Sequence, residues 1–329
     1  MTTNNWNLLG HEWAVDMLSQ HVANQSMRHA YLITGSPGLG RRSLALAFAR
    51  SLTCSDAPAP GEFCGECRNC RQMGAMQHPD LTIIEAETEG GMLKVEQIRE
   101  LRKSVLLSPY QAPYRIVLLL RFQEANASAA NALLKTLEEA PSKVILILTA
   151  DNLEQLLPTI VSRCEVLRLR PLPIPRVDEF LRVKGADDSK AKLLAHLSAG
   201  RPGYALRLLE DDSSLEFRRE KMAELTELFS ASRVARFAYA EQLAKDKDIF
   251  RDTLFLWLSL WRDVMLQCAG ETESVTNIDH RALIERLASK LDLSAAKQQL
   301  VAAENAIGQL QRNVNSRLLA EVLLLALPK

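Results

Sequence analysis

Aromatic side chains are scarce, at 5% of 329 residues, while Leu and Ala recur throughout. This disfavours an all-β sandwich and leans towards helix. Net charge is also lacking: 40 Lys and Arg stand against 40 Asp and Glu. A chain that coats nucleic acid or anionic lipid through bulk electrostatics is therefore excluded, although DNA contact inside a larger complex is not. No apolar run reaches the roughly 18 residues of a membrane helix. The opening MTTNNWNLLGHEW has no basic start followed by an apolar run, so no secretory signal is read and a cytoplasmic location without membrane contact is expected. Six Cys in a reducing compartment are expected to be metal ligands or plain thiols, not disulfides. There is no internal repeat and no low-complexity tract.

What is present is ample core material, with 47% hydrophobic residues in a chain too long for one core. Roughly two or three domains are expected. Short β-rich runs at 29–34, 81–85, 115–120, 144–149 and 165–169 alternate with helical patterns at 41–52, 95–107, 127–139 and 153–160. Continuous apolar strands separated by helices predict a parallel sheet covered on both faces. Residues 1–170 carry 17 basic and 17 acidic side chains, so this part is neutral by itself. Pro171, Pro173 and Pro175 then break the pattern, and a domain boundary is expected there. Beyond it the sequence reads as helical. Helices at 176–184, 189–199 and 203–210 form a small unit, and Asp211-Asp212-Ser213-Ser214 reads as a linker and helix cap. Residues 216–327 carry i, i+3, i+4 apolar patterns, for example Phe250, Leu254, Trp257, Leu258 and Trp261. The expected domains are 1–171, 172–211 and 212–329.

Gly35-Ser36-Pro37-Gly38-Leu39-Gly40-Arg41-Arg42-Ser43 follows a predicted strand and opens a predicted helix. That is the context of a phosphate-binding loop, G-x-x-x-x-G-K-[ST]. Gly35, Gly38 and Gly40 suit a backbone nest for an anion. The two working side chains are wrong: Arg41 takes the lysine position, and Arg42 takes the place of the hydroxyl that holds Mg²⁺. Ser43 comes one residue late, about 100° round the helix. The strand at 116–120 runs into Arg121-Phe122-Gln123-Glu124, with no acid where a Mg²⁺-binding Asp-Glu pair is expected. Glu124 reads as a solvated turn residue. A nucleotide-hydrolysing fold stripped of its catalytic groups is the expectation; the competing reading is that Arg41 replaces lysine and nucleotide binds without turnover.

Cys54, Cys64, Cys67 and Cys70 form C-x9-C-x2-C-x2-C. Four thiolates at such spacing suit tetrahedral Zn²⁺ and leave no position for water, so a structural site is expected, with Gly65 easing the turn. The x3-C-P continuation of a bacterial iron–sulfur pattern is missing. His78 is an alternative fourth ligand, although His78-Pro79-Asp80 more simply caps the chain before the next strand. Cys164 and Cys268 are isolated and read as core thiols.

Together these motifs resemble the clamp-loader branch of the AAA+ ATPases in bacterial DNA polymerase III. The residues that carry the resemblance are His29-Ala30-Tyr31-Leu32, the phosphate loop, the Cys cluster behind its helix, and His78-Pro79-Asp80. To these are added the run Ala130-Asn131-Ala132-Leu133-Leu134-Lys135-Thr136-Leu137-Glu138-Glu139, and Ser162-Arg163-Cys164. The match covers residues 8–210 with good motifs and beyond that rests on helical character. It implies an α/β parallel-sheet AAA+ P-loop domain, a small helical lid and an all-α C-terminal collar for oligomerisation. Arg163, within Ser162-Arg163-Cys164, would be an arginine finger reaching a neighbouring subunit's ATP; the plainer reading is an Arg that pairs with a local acid. The family's second sensor, an Arg in Gly-x-x-Arg, falls on Gly203 of Gly200-Arg201-Pro202-Gly203, with Arg201 out of register. Thr149 falls where a first sensor for the γ-phosphate would stand, and strand capping is the simpler role. The helix at 129–139 is amphipathic, and the resemblance implies that it lies near the inner face where DNA passes.

The leading expectation is therefore a non-catalytic structural subunit, with structural Zn²⁺ and no functional ATP site. Its implied partners are the gamma/tau ATPase and delta subunits of a hetero-pentamer and, through the complex, the sliding clamp and primer–template DNA. Two alternatives stand beside it: an active clamp-loader ATPase of the gamma/tau type, and a zinc-containing nucleic-acid-binding protein.

Overall fold

The computed structural model describes residues 5–88, 90–312 and 314–328. Residues 1–4, which open the stretch read above for a signal, lie outside it. The chain divides into two compact units: Met1–Pro173 together with Arg201–Tyr204, and Ile174–Gly200 together with Ala205–Lys329.

The first unit is built on five parallel strands: β1 Ala30–Thr34, β2 Leu81–Ile84, β3 Arg115–Leu119, β4 Val144–Ala150 and β5 Glu165–Arg168. Their order is β2-β3-β4-β1-β5, so β1 sits between β4 and β5, with Tyr31 opposite both Ile147 and Glu165. Strand alternation sends side chains to both faces. Tyr31, Ile33, Ile116, Leu118, Ile145 and Ile147 pack with Leu18 of α1 (Glu12–Ala23) and Leu44 and Phe48 of α2 (Arg41–Thr53). Leu32, Val117, Leu119, Leu146 and Leu148 pack on the other face. Their partners are Ile98 and Leu101 of α4 (Val95–Ser104) and Leu133 and Leu137 of α5 (Ala127–Glu138). Helix α3 (Arg68–Gly74) lies between α2 and β2, and α6 (Pro158–Val161) precedes β5. All five predicted strands are present, as expected for apolar runs buried on both sides.

Three expectations need correction. The helix expected at 153–160 shrinks to Pro158–Val161, because Asn152 Oδ1 accepts from Gln155 N in a local turn at 3.1 Å and Pro158 then opens the helix. Pro175 lies inside a helix, in the first turn of α7 (Ile174–Val183), where its missing N–H costs no intrahelical bond. Helices α1 and α3 are additions.

The second unit is helical. Helices α7, α8 (Asp188–Leu197) and α9 (Pro202–Glu210, from Ala205 onward in this unit) are followed by α10 (Asp212–Leu228), α11 (Arg233–Leu243) and α12 (Lys247–Cys268). Then come α13 (Arg281–Ala288), α14 (Leu293–Gln311) and α15 (Ser316–Leu325). Asp211, Ser232, Asp246, Asp292 and Asn315 cap α10, α11, α12, α14 and α15 by accepting from first-turn N–H groups. Met222, Leu225, Phe250, Leu254, Trp257, Trp261, Ala303 and Leu324 belong to one core. A buried cation ties it together: Arg236 Nε donates to Leu228 O at 3.1 Å and Nη1 to Leu324 O at 2.9 Å. Further contacts reach Phe229 O and Leu327 O, both at 3.3 Å. One guanidinium thus serves the carbonyl ends of α10 and α15, where helix dipoles favour positive charge. No helix among the described residues is long and apolar enough to cross a membrane.

Candidate functional site

The phosphate loop forms as its glycines require. Gly38 has φ 88° and Gly40 φ 91°, the left-handed region that side chains avoid. The loop is also occupied from behind. Gly203 N donates to Gly38 O at 2.8 Å, and a Cβ on Gly38 would meet Tyr204 Cβ at 2.9 Å. The buried His11 ring holds Leu39 O at 2.9 Å. Arg41, in the lysine position, does not project freely from the loop: Nη1 lies 2.7 Å from Asp151 Oδ1, just past β4, in a charge contact outside the line of a directional hydrogen bond. Arg42 is exposed on the next position of α2.

At the end of β3 an Arg takes the place of an acid. Arg121, with φ 49°, has Nε bonded to Glu124 Oε1 at 2.9 Å and Nη1 to Glu85 Oε2 at 3.1 Å. Its backbone N–H donates to Thr149 Oγ1 at 2.9 Å, so the buried Thr149 links the ends of β3 and β4. Glu124 is not the solvated residue expected: its side chain is 9% exposed and also accepts from Gly90 N at 2.9 Å. A cation with two carboxylate partners stands where a metal-binding acid pair would be needed.

Arg163 follows α6. Its Nη2 donates to Glu138 Oε1 at 2.7 Å, and its Nη1 to Thr159 O at 2.9 Å. Within this chain it therefore pairs with a local acid at the end of α5. Ser162 Oγ donates to Thr159 O at 3.2 Å. Burial pushes the Cys164 thiol up to about 12, so it stays protonated.

The four cysteines of 54–70 converge. Sγ–Sγ separations are 3.6 Å for Cys54 and Cys64, 3.9 Å for Cys54 and Cys67, and 4.0 Å for Cys64 and Cys70. All four sulfurs lie within 4.8 Å of one another. A tetrahedron with metal–sulfur bonds of about 2.3 Å has edges of about 3.8 Å, so the donor set could hold a metal ion such as zinc. Backbone N–H groups of Cys64, Cys67 and Cys70 point at Cys54, Cys64 and Cys67 sulfurs at 3.3, 3.3 and 3.4 Å, and Gly65 turns at φ 80°. Burial raises the Cys67 thiol, but N–H groups of Cys70 and Ser55 and the Ser55 hydroxyl outweigh it and bring it to about 6. Burial raises Cys54 and Cys70. A bound cation would reverse that preference, since ligation needs thiolates. His78 is not a ligand. Its Nδ1 accepts from Asp80 N at 3.0 Å, so the neutral ring carries its proton on Nε2 and donates to Asn69 Oδ1 at 3.3 Å.

The family described as DNA polymerase III, delta subunit matches residues 10–173, and its C-terminal counterpart matches residues 213–329. The chain is 31% identical to DNA polymerase III subunit delta' of Pseudomonas aeruginosa over 318 residues, covering 95% of this chain and 94% of that one. The chain belongs to the delta' family of DNA polymerase III clamp-loader subunits. A second delta' relative, from Escherichia coli K12, is 31% identical and covers 81% of this chain and 78% of that one. The tau/gamma subunit of Haemophilus influenzae is 32% identical over 174 residues, 53% of this chain and 25% of that one. The first unit is thus a parallel α/β sheet with its phosphate loop directly after β1.

In this delta' chain, several site residues escaped the sequence reading. Asp80 is fully buried and accepts from Tyr110 N at 2.6 Å, Gln111 N at 2.7 Å and Ala112 N at 2.9 Å. Those three N–H groups hold its carboxyl below the ordinary range even though burial pushes the other way. Asn69, between two of the cysteines, joins Thr53 O at 2.8 Å to His78. Trp6 Nε1 donates to Gly61 O at 3.1 Å and closes the cysteine loop against Phe48 and Phe63. Only the His-Pro-Asp motif signalled any of these positions.

Proposed function

We propose that this delta'-type chain is a non-catalytic structural subunit of the DNA polymerase III clamp loader. Its own phosphate loop does no chemistry, and Arg163 serves as an arginine finger for a neighbouring ATPase subunit during ATP-dependent loading of the sliding clamp onto primed DNA. Its partners are gamma/tau and delta subunits in a hetero-pentamer, and through them the clamp and primer–template DNA. Within the helical unit, the segment at 172–211 acts as the lid and that at 212–329 as the collar used in assembly. The location is cytoplasmic.

The observation that carries this reading is Arg121, bonded to Glu85 and Glu124 at the end of β3. A phosphoryl-transfer site needs a free carboxylate there to hold Mg²⁺, and Glu85 and Glu124 are instead engaged by the Arg121 guanidinium. The contact between Arg41 and Asp151 supports it, because the lysine substitute already has a partner within its own chain. Zn²⁺ at Cys54, Cys64, Cys67 and Cys70 is structural, with four thiolates leaving no open position.

The test is reconstitution with the active ATPase and delta subunits. Arg163→Ala should leave assembly intact and slow DNA-stimulated ATP hydrolysis by about 10³-fold or more at the site that receives the finger. An unchanged rate rejects the trans role. ATP turnover by the isolated chain would favour the gamma/tau type of function instead.

A further inference from the structure

Glu138 is an acidic residue in the last turn of α5, followed by Glu139. The carbonyl end of a helix disfavours negative charge, so two carboxylates there need a compensating cation. Lys135 is the basic residue of that last turn, and Glu138 pairs with Arg163, 25 positions later, at 2.7 Å. The pair is half open to solvent, with the Arg163 side chain 35% and the Glu138 side chain 48% exposed. An ion pair in that setting is weak and exchanges readily. It also quenches the positive charge on which an arginine finger depends, because a carboxylate in contact cancels most of the field felt by a third group.

We infer that Glu138 is a positioning residue that holds Arg163 in reserve, and that the finger engages a neighbour's nucleotide by exchanging the Glu138 carboxylate for a phosphate oxygen. This rests on the proposed trans role of Arg163. Thr159 O bonds a different nitrogen, Nη1, so the guanidinium keeps one anchor while the Nη2 side changes partner. A phosphate oxygen accepts from the same Nη2 with more charge behind it, so it wins when a triphosphate is presented. The exchange also uncovers Glu138 at the end of α5, which gives that helix a means of registering whether the adjoining site is filled.

Glu138→Gln keeps the shape and an accepting oxygen but removes the competing charge. In the complex reconstituted with gamma/tau and delta subunits, steady-state hydrolysis of Mg²⁺-ATP is measured for four forms: wild type, E138Q, R163A and the double variant. E138Q should lower KM for ATP by about two- to fivefold with kcat unchanged, the span set by a weak exposed pair. In the R163A background the same change should do nothing. If R163A slows hydrolysis while E138Q leaves KM unchanged or raises it, the exchange is overturned and the finger stands. If R163A leaves hydrolysis untouched, the finger reading and the exchange both fall. If E138Q acts equally with and without Arg163, its effect does not pass through the finger and the exchange is overturned.

Discussion

Arg41 Nη1 lies 2.7 Å from Asp151 Oδ1, so the residue in the lysine position of the phosphate loop is neutralised by the residue that follows β4. The Arg41 side chain is only 11% exposed, so the contact is largely shut off from water. Millimolar Mg²⁺-ATP should leave the melting temperature of the isolated chain unchanged, as read by differential scanning fluorimetry. A ligand held at a hundredfold excess over its Kd would add about 2.7 kcal/mol and move the transition by several degrees. A shift of that size would show that the loop still binds nucleotide. Asp151→Ala should cost about 1–3 kcal/mol, because it strands a largely buried guanidinium.

Asp80 gives a pH signature. Its carboxyl titrates below the ordinary value when folded, so the unfolded chain takes up the proton first as acid is added. The stability it lends is whole above about pH 4 and is lost as pH falls through the lower folded pKa. Asp80→Asn should cost about 1.5–3 kcal/mol at neutral pH. The gap to wild type, followed by urea midpoints, should narrow below about pH 4. A gap constant with pH would mean that the charge plays no part.

The four sulfurs make a prediction about metal. Protein purified without chelator should carry one zinc per chain by elemental analysis. Cys64→Ser or Cys67→Ser should release it and lower the first unit's melting temperature by several degrees. Zinc content at background in wild type would remove the metal reading of the 54–70 cluster.

Arg236 offers a test in the helical unit. Lys cannot span four carbonyls in two directions, because its donors radiate from one nitrogen. Arg236→Lys should therefore cost about 2–4 kcal/mol, close to the loss for Arg236→Met. Chemical denaturation with far-ultraviolet circular dichroism reads both. A Lys variant as stable as wild type would show that charge alone, without the fork, satisfies the helix ends.

Local pattern carried a good part of this molecule. The five strands were legible because apolar runs bounded by turns have one comfortable home, inside a two-faced sheet. Gly35, Gly38 and Gly40 were legible for the same local reason, as were the cysteines, whose spacing and chemistry sit in one short stretch. What stayed hidden depends on residues far apart in the chain. Nothing in a linear reading pairs Arg163 with Glu138, or Arg41 with Asp151, or sets Tyr204 against Gly38. Glu124 was misread because its partners, Arg121 and Gly90, approach from two directions. Helix α1 was missed because it starts at His11 in a left-handed conformation, without a side-chain cap to announce it.

The carbonyls that satisfy Arg236 include those of Leu324, in the last turn of α15, and Leu327, just past it. That final turn of α15 is accordingly a working part of the bundle. Trimming it would withdraw oxygens from a charge shut away from water, and the damage would surface first at the far side of the same guanidinium, where α10 terminates.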